Sequence, residues 1–361
     1  LVAIVTLTIV ALGAAPLPVA HADTITVCSG CTYDSIQAAV NDASSGDTID
    51  ITDPVHTEAG ITVNKDLTIQ GQGQPTTTVQ APASVISPTR VFTVTVGSTV
   101  TITHMTIRDG NVDGDGGGIL NEGTLTLEDV AVVDNATTGP GHGGGGIYND
   151  NGDLTLIGCA VRNNEAAVSG GGIYVVNGTL SVADCLVDSN KAVNNGGGIY
   201  NTTFGTVTLT NSAVSGNETT AEYSTGGGIY SGSGGSTTLT GCTLSGNQAS
   251  GANSDGGAIY TFSGNGKLTV TNCTVSGNSA GRRGAGIYIR SESGDAHLNH
   301  STVSDNDAGE AGGGIYNAWT TVFTNTIIAD NTATTGPDCR SERPLDSHGY
   351  NLVEDTSDCT I

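Results

Sequence analysis

The segment from Asn111 to Glu122 carries oxygen-bearing side chains at the spacing of a calcium-binding loop. Asn111, Asp113 and Asp115 occupy positions 1, 3 and 5, Gly116 occupies position 6 and Glu122 position 12. The first ligand is Asn rather than Asp, and no helices are expected on either side. A tight Asp-Gly turn without a metal explains the same residues, and the sequence leaves both interpretations open. Ca²⁺ is the one cofactor indicated, and none is required.

Seven tyrosines recur at one position of a repeating unit, directly after an isoleucine or its equivalent. In an alternating strand the isoleucine faces inward, so the tyrosines should face outward as one aromatic stripe. Sugar rings stack well on such faces, and tyrosine adds a hydroxyl group. A stack of aromatic rings also stabilises a parallel sheet without any ligand, so both roles stay open. The candidate ligand-binding residues are Tyr148, Tyr174, Tyr200, Tyr230, Tyr260, Tyr288 and Tyr316.

The charge balance limits the ligands that the chain can attract. Its 361 residues include 11 Lys and Arg against 35 Asp and Glu, a formal net charge of −24. Nucleic acid requires clustered cations, so a general nucleic-acid binder is excluded. Polyanionic substrates are repelled as well unless Ca²⁺ bridges them.

No residue is assigned a catalytic role. His142 lies between two glycines, and His297 is expected to face outward on a strand. A lone histidine of this kind is more often a surface residue than a catalyst. We therefore favour a protein that is not an enzyme and keep a polysaccharide lyase as the enzymatic alternative.

The eight cysteines form two groups. Cys28 with Cys31 near the start and Cys339 with Cys359 near the end are candidate disulfides in an exported chain. The inner four share one position of the repeat, which Ser212, Ser301 and Thr326 fill in other units. Adjacent pairs among them are close enough to cross-link if the units stack, whereas a buried small hydrophobe is the default role. These inner cysteines are Cys159, Cys185, Cys242 and Cys273.

An internal repeat of 26 to 30 residues positions all these side chains. Gly-Gly-(Gly/Ala)-Ile-Tyr, or a near variant, occurs eight times, followed by a Thr-rich alternating run and an apolar-x-x-Asn ending. Each unit has three β-prone pieces and no helical periodicity. Successive copies can therefore stack in parallel as coils of a β-solenoid, with Gly and Asn at the corners. Two less regular coils precede the repeats, which gives about ten coils.

The two ends of the chain differ from the repeats. Residues 1–22 are apolar and end in a small-x-small pattern, which predicts a signal peptide and hence a secreted or cell-surface protein. The chain opens on Leu with no basic segment, so we expect its true start to lie further upstream. Residues 23–46 should cap the solenoid with a short helix bearing Ile36, Ala39, Val40 and Ala43 on one face, capped by Thr32 or Asp34.

The solenoid is predicted over residues 47–337, with regular repeats from about residue 111. Residues 338–361 break the repeat and are predicted to form a C-terminal cap or a truncated tail. No stretch of the mature chain is long and apolar enough to cross a membrane.

The repeats resemble those of polymorphic outer-membrane proteins, whose marks are GGAI and Phe-x-x-Asn. Gly256-Gly257-Ala258-Ile259 matches the first mark literally, and the second is present with Val, Leu or Ile in place of Phe. The chain as a whole resembles exported β-helix repeat proteins of the pectin-lyase-like superfamily. This resemblance implies an all-β, right-handed parallel β-helix. It implies less about function, because the superfamily includes lyases, hydrolases, adhesins and inert surface rods.

We therefore expect an exported rod with a structural or adhesive role, which contacts glycans or a cell-surface partner along a side face. The alternative is a carbohydrate-active enzyme, either a Ca²⁺-dependent polysaccharide lyase or a glycoside hydrolase, acting on an acidic polysaccharide. The two hypotheses differ in one structural feature. An enzyme should place a basic residue beside two or more carboxylates in a groove. A binding rod should instead expose its tyrosine stripe, or a second stripe formed by the threonines of the alternating runs.

Overall fold

The structure is a computed structural model that describes residues 22–83, 89–202, 204–264, 266–291 and 295–361. The predicted signal peptide falls almost entirely outside these residues. Within them the chain forms three parallel sheets of 23, 11 and 9 strands and one short helix. It is an all-β parallel solenoid of about twelve turns. The sequence predicted about ten turns. The strands at both ends lack the repeat signature, although they pair with the strands of the neighbouring turns.

The large sheet contains two arms in each coil, which meet at a bend. The first arm consists of Thr24–Val27, Thr48–Ile51, Leu67–Gln70, Thr99–Arg108, Thr124–Val133, Asp153–Ile157, Thr179–Ala183, Thr206–Thr210, Ser236–Thr240, Leu268–Thr271, Ala296–Asn299, Thr321–Thr324 and Leu345–Ser347. Strands Thr99–Arg108 and Thr124–Val133 run through both arms. The rest of the second arm consists of Val55–Thr57, Thr78–Gln80, Ala160–Arg162, Leu186–Asp188, Ala213–Ser215, Thr243–Ser245, Thr274–Ser276, Thr302–Ser304, Ile327–Ala329 and Leu352–Val353.

Two smaller sheets complete each coil. The tyrosine sheet consists of Ile61–Val63, Phe92–Val94, Ile119–Asn121, Ile147–Asp150, Ile173–Val176, Ile199–Asn201, Ile229–Ser231, Ile259–Ser263, Ile287–Ser291, Ile315–Asn317 and Cys339–Ser341. The short-strand sheet consists of Asn111–Val112, Ala136–Thr137, Glu165–Ala166, Lys191–Ala192, Glu218–Thr219, Gln248–Ala249, Ser279–Ala280, Asp307–Ala311 and Thr332–Thr335. The sequence predicted three strands per coil and missed this fourth one, because most strands of this sheet have two residues, too few to show an alternating pattern.

The glycine runs make the corner before each tyrosine strand. Gly144 has φ 68°, a conformation that favours glycine. At Gly145 a Cβ atom would lie 2.5 Å from the carbonyl oxygen of Glu165 in the next coil, so no side chain fits there. The corner therefore needs glycine for two separate reasons, a positive φ and a close approach between coils.

A ladder of buried asparagines joins the coils from the inside. Each side-chain amide donates to the Oδ1 atom of the asparagine in the next coil, as Asn190 does to Asn217 at 3.0 Å and Asn217 to Asn247 at 2.9 Å. The same Oδ1 atoms accept backbone N–H groups, and the amide of Asn217 also donates to the Val187 carbonyl at 3.0 Å. Every asparagine thus satisfies backbone groups that would otherwise be buried without partners. The ladder is Asn135, Asn164, Asn190, Asn217, Asn247, Asn278, Asn306 and Asn331, and it ends on Asp338.

The helix Ile36–Asp42 covers the N-terminal end of the solenoid with Ile36, Ala39 and Val40 buried, as predicted. Its N-cap is Ser35, whose Oγ accepts from the Ala38 N–H at 3.2 Å, and neither Thr32 nor Asp34. Glu58 from the following turn accepts the Ile36 and Gln37 N–H groups at 2.6 and 2.9 Å.

The C-terminal residues 338–361 continue the stack rather than leaving it. They supply the strands Cys339–Ser341, Leu345–Ser347 and Leu352–Val353. These strands extend the tyrosine sheet, the first arm and the second arm of the large sheet, respectively. The strand Thr24–Val27 likewise pairs with Thr48–Ile51 at the other end, so sheet formation begins before residue 47.

Replacing Asn217 by Ala tests the importance of the ladder. The variant leaves the Val187 carbonyl and the Asn190 N–H buried without their partners, and we expect it to lower the free energy of unfolding by about 3 kcal/mol. Urea unfolding followed by circular dichroism measures the change. Asn253→Ala, which removes an amide from an exposed pair with Glu222, is the matched control and should change it by less than about 0.5 kcal/mol. Equal losses in the two variants would contradict a structural role for the ladder.

Candidate ligand-binding face on the tyrosine sheet

The seven predicted tyrosines form one continuous stack of rings. They occupy in-register positions of the tyrosine sheet, so that each pairs with the tyrosine of the next coil, as Tyr148 does with Tyr174. Successive ring centroids are 4.6 to 5.4 Å apart, and most pairs are close to parallel. Such spacing is typical of favourable aromatic contact.

The stack is not equally accessible along its length. Tyr148, Tyr174, Tyr200 and Tyr230 are half-buried. Tyr260, Tyr288 and Tyr316 are only 5, 5 and 6 % exposed, so the expectation of an exposed stripe along all seven coils is wrong for these three.

Part of this cover comes from the corner that precedes each glycine run. The corner residue Arg283 places its guanidinium over the ring of Tyr316, 5.0 Å from the ring centroid. The buried rings pack with Ala311 and have Tyr230, Phe262 and Ala318 at their margin.

Burial also changes the acidity of the phenols. Removal from water disfavours the phenolate and raises the pKa of Tyr148, Tyr174, Tyr230 and Tyr288 well above the ordinary value of 10.0. Neighbouring tyrosines and carboxylates act in the same direction at Tyr174 and Tyr148. These phenols are therefore neutral hydrogen-bonding groups at every physiological pH.

Two arginines make hydrogen bonds beside the buried end of the tyrosine stack. Arg282 donates from Nε and Nη2 to the buried carboxylate of Asp255 at 2.9 and 2.5 Å. The guanidinium of Arg283 lies 5.0 Å from the ring centroid of Tyr316 and donates to its hydroxyl oxygen at 3.1 Å. The Tyr316 hydroxyl in turn donates to Glu342 at 2.5 Å. The repeat pattern gave no signal for these contacts, because the partners lie one coil away.

Two exposed aromatic residues flank the more open coils. Phe204 follows the strand that carries Tyr200 and is 70 % exposed. Tyr223 lies in the corner before the strand that carries Tyr230 and is 71 % exposed. Both lie in loops whose length and composition vary from coil to coil, so the repeat gave no signal for them.

In the predicted calcium loop, Asp115 contacts other groups of the protein. Oδ1 of Asp115 accepts the Gly143 N–H at 2.9 Å and lies 3.3 Å from Nδ1 of His142, while Arg90 donates to the Asp115 carbonyl at 2.8 Å. Asp113 is exposed and 4.0 Å from His142. Over the described ranges, no three His, Cys, Asp or Glu side chains converge as a metal ion requires. Calcium binding by Asn111, Asp113, Asp115 and Glu122 stays a prediction, and these contacts favour the turn interpretation.

The terminal cysteines are paired in the structure. Cys28 bonds to Cys31 and Cys339 to Cys359, with Cα atoms 5.1 and 5.7 Å apart. The inner four cysteines are free and buried. Separately, no helix in the part of the chain that the structure describes is long and apolar enough to span a bilayer.

The comparisons with known proteins agree with the stacked coils. A family model described as the right handed beta helix region matches residues 85–214 and 193–361. The chain belongs to this right-handed β-helix family. No curated protein shows significant similarity to it.

Solved structures of several β-helix proteins resemble the chain. The catalytic domain of a GH87 α-1,3-glucanase in complex with nigerose is 17% identical, with 94% of this chain and 70% of that chain covered and a TM-score of 0.50. The surface adhesin PfbA of Streptococcus pneumoniae is 9% identical, with 90% and 88% covered and a TM-score of 0.41. A pectin methylesterase from Aspergillus niger is 15% identical, with 93% and 88% covered and a TM-score of 0.33. At these identities the likeness concerns the fold alone.

The raised pKa values predict how stability depends on alkaline pH. A phenol whose pKa is raised by folding contributes stability that is complete below its unfolded value of 10.0 and is lost as the pH rises toward the folded value. We therefore expect the β-helix to lose stability above about pH 10, with tyrosinate absorbance appearing together with unfolding. Absorbance and circular dichroism recorded on one alkaline titration measure both. Tyrosinate formation by the whole stack in a fully folded chain would contradict the burial described above.

Proposed function

We propose that the protein is an exported rod at the cell surface or outside the cell, where it plays a structural or adhesive role and binds glycans along the open part of the tyrosine sheet. One observation carries the proposal. Phe204 and Tyr223, both strongly exposed, lie on either side of the strands that bear the half-buried Tyr200 and Tyr230. Exposed rings beside a shallow aromatic row offer flat apolar faces to sugar rings and phenolic hydroxyls to sugar hydroxyls.

Negative charge around the proposed binding face favours an uncharged glycan. Glu222 precedes Tyr223, Glu218 lies in the same coil, and the whole chain carries −24. This field repels a polyanion and leaves an uncharged glycan as the better partner. The arginines at the other end of the stack do not reverse this, since Arg282 and Arg283 both lie against the buried carboxylate of Asp255, at 2.5 and 3.8 Å.

The double variant Phe204→Ala with Tyr223→Ala tests the contact face. Both side chains are exposed, so the variant should fold normally, while binding to the glycans that the native chain selects on an array should fall at least about tenfold. Tyr350→Ala is the matched control, because Tyr350 is 92 % exposed and lies near the C-terminal end of the large sheet. Unchanged binding by the double variant, or an equal loss in the control, would contradict the proposed face.

A carbohydrate-active enzyme is the second candidate, and one cluster favours it. The Arg108 guanidinium contacts two carboxylates, those of Asp109 at 2.9 Å and Asp134 at 3.0 Å. This meets one part of the condition for an enzyme, a basic residue beside two carboxylates, but not the other part, a groove. The three side chains are, however, each about 40 % exposed on the outside of the large sheet, where water screens them.

A depolymerisation assay separates the two candidates. We expect the full chain to release neither unsaturated nor reducing-end products from neutral or acidic polysaccharides, with or without Ca²⁺. Products that appear only with Ca²⁺, and that disappear in Arg108→Gln, would establish the enzyme instead. If Asp115→Ala also abolished this Ca²⁺-dependent activity, the predicted calcium loop would be part of it.

A further inference from the structure

The four inner cysteines belong to a column of side chains at the bend of the large sheet. Side chains of this column accept the backbone N–H of the preceding coil. The Cys159 N–H donates to Sγ of Cys185 at 3.1 Å, and the Cys242 N–H donates to Sγ of Cys273 at 3.3 Å. These side chains thus replace the backbone hydrogen bond between adjacent coils that the bend of the large sheet interrupts.

Serine performs the same task elsewhere in the column. The Cys185 N–H donates to Oγ of Ser212 at 3.1 Å, and the Cys273 N–H donates to Oγ of Ser301 at 3.2 Å. The hydroxyl of Ser212 then donates to the Thr210 carbonyl at 2.8 Å, as the thiol of Cys185 does to Ala183 at 3.0 Å. The fold therefore needs a small hydrogen-bonding side chain here and not a thiol. A separate reason is required for two pairs of cysteines in directly adjacent coils.

In each pair the sulfur of the second cysteine contacts the backbone N–H of the first, at 3.1 Å for Cys185 on Cys159 and 3.3 Å for Cys273 on Cys242. A hydrogen bond between the two thiols lowers the pKa of Cys242, to about 7, and that of Cys185, because the partner thiol donates to the thiolate. Strands of adjacent coils lie about 4.8 Å apart, which falls within the Cα separations of about 4.4 to 6.8 Å that a disulfide can bridge. All four side chains are buried. A bond formed here would be shielded from reductants.

We propose that Cys159 with Cys185 and Cys242 with Cys273 close as two disulfides, each joining one coil covalently to the next. The proposal is independent of the glycan contact. It uses the same oxidant that closes Cys28–Cys31 and Cys339–Cys359 at the two ends of the chain.

The reaction is a thiol–disulfide exchange with an oxidised dithiol carrier. The thiolate of one cysteine attacks the carrier disulfide and releases one carrier thiol. The second cysteine then attacks the mixed disulfide and releases the other. Each pair loses two protons and two electrons, and the carrier is reduced to its dithiol. Because the thiols are buried in the finished coil, the exchange takes place while that coil is still packing onto its neighbour.

Thiol counting and peptide mapping test the proposal on the full chain, refolded with reduced and oxidised glutathione. In samples whose two terminal pairs are closed, we expect no free thiol after denaturation. Digestion without reductant should yield two further linked peptide pairs, containing residues 159 with 185 and 242 with 273. Four free thiols beside closed terminal pairs, or a link between Cys185 and Cys242, would overturn the proposal.

Cys159→Ser provides the matched variant, because serine already fills this column at Ser212 and Ser301 and should preserve the hydrogen bonds. We expect one free thiol, that of Cys185, with the Cys242–Cys273 link intact. The midpoint of urea unfolding should fall relative to the oxidised native chain, and reductant present during refolding should remove that difference. A midpoint equal to that of the oxidised native chain would show that the bond contributes nothing to the joining of the coils, and would count against the proposal.

Discussion

The pairing of each coil with the next in strict register is the constraint on which the whole molecule depends. A single coil cannot satisfy its own backbone N–H and C=O groups, because its parallel strands pair only with those of its neighbours. The asparagine ladder shows the same dependence inside the core, where Asn190, Asn217 and Asn247 complete one another's hydrogen bonds. Other groups take the place of a neighbouring coil at the ends. The helix Ile36–Asp42 covers the N-terminal end of the solenoid, and the carboxylate of Asp338 accepts the last hydrogen bond of the asparagine ladder.

Because the coils are in register, equivalent positions of the repeat form columns of side chains. The residues around each column determine how exposed its members are. The tyrosine column is one row of rings, yet Tyr200 and Tyr230 stay half open while Tyr288 is covered. The difference arises from the corners, where Arg282 and Arg283 replace the smaller polar residues of earlier coils. The ligand face is therefore confined to a few coils, although its tyrosines run along most of the rod.

Much of the fold follows from the repeat alone. The parallel coils, the inward Ile beside the outward Tyr and the asparagine stack were predictable, because each is a local pattern repeated eight times. At these corners the left-handed conformation falls on the residue before the buried asparagine, as on Asn163 before Asn164. Exposure was not predictable, because Phe204, Tyr223 and the covering arginines lie in loops that do not repeat. The Ser35 cap escaped prediction because its partner, Glu58, comes from the following turn.

Removing one complete coil tests the central claim that coils are equivalent in the fold while the ligand contact is local. Deletion of residues 196–225 joins Asn195 to Gly226 and keeps the register, because Asn195 pairs with Thr225 at the same corner. The deletion also removes Tyr200, Phe204 and Tyr223. The measurement is glycan binding by the purified shorter chain, with circular dichroism of the same sample. We predict an unchanged β-sheet spectrum, cooperative unfolding and no binding. A chain that fails to fold would contradict the equivalence of the coils, and a folded chain that binds as well as the native one would place the contact face elsewhere.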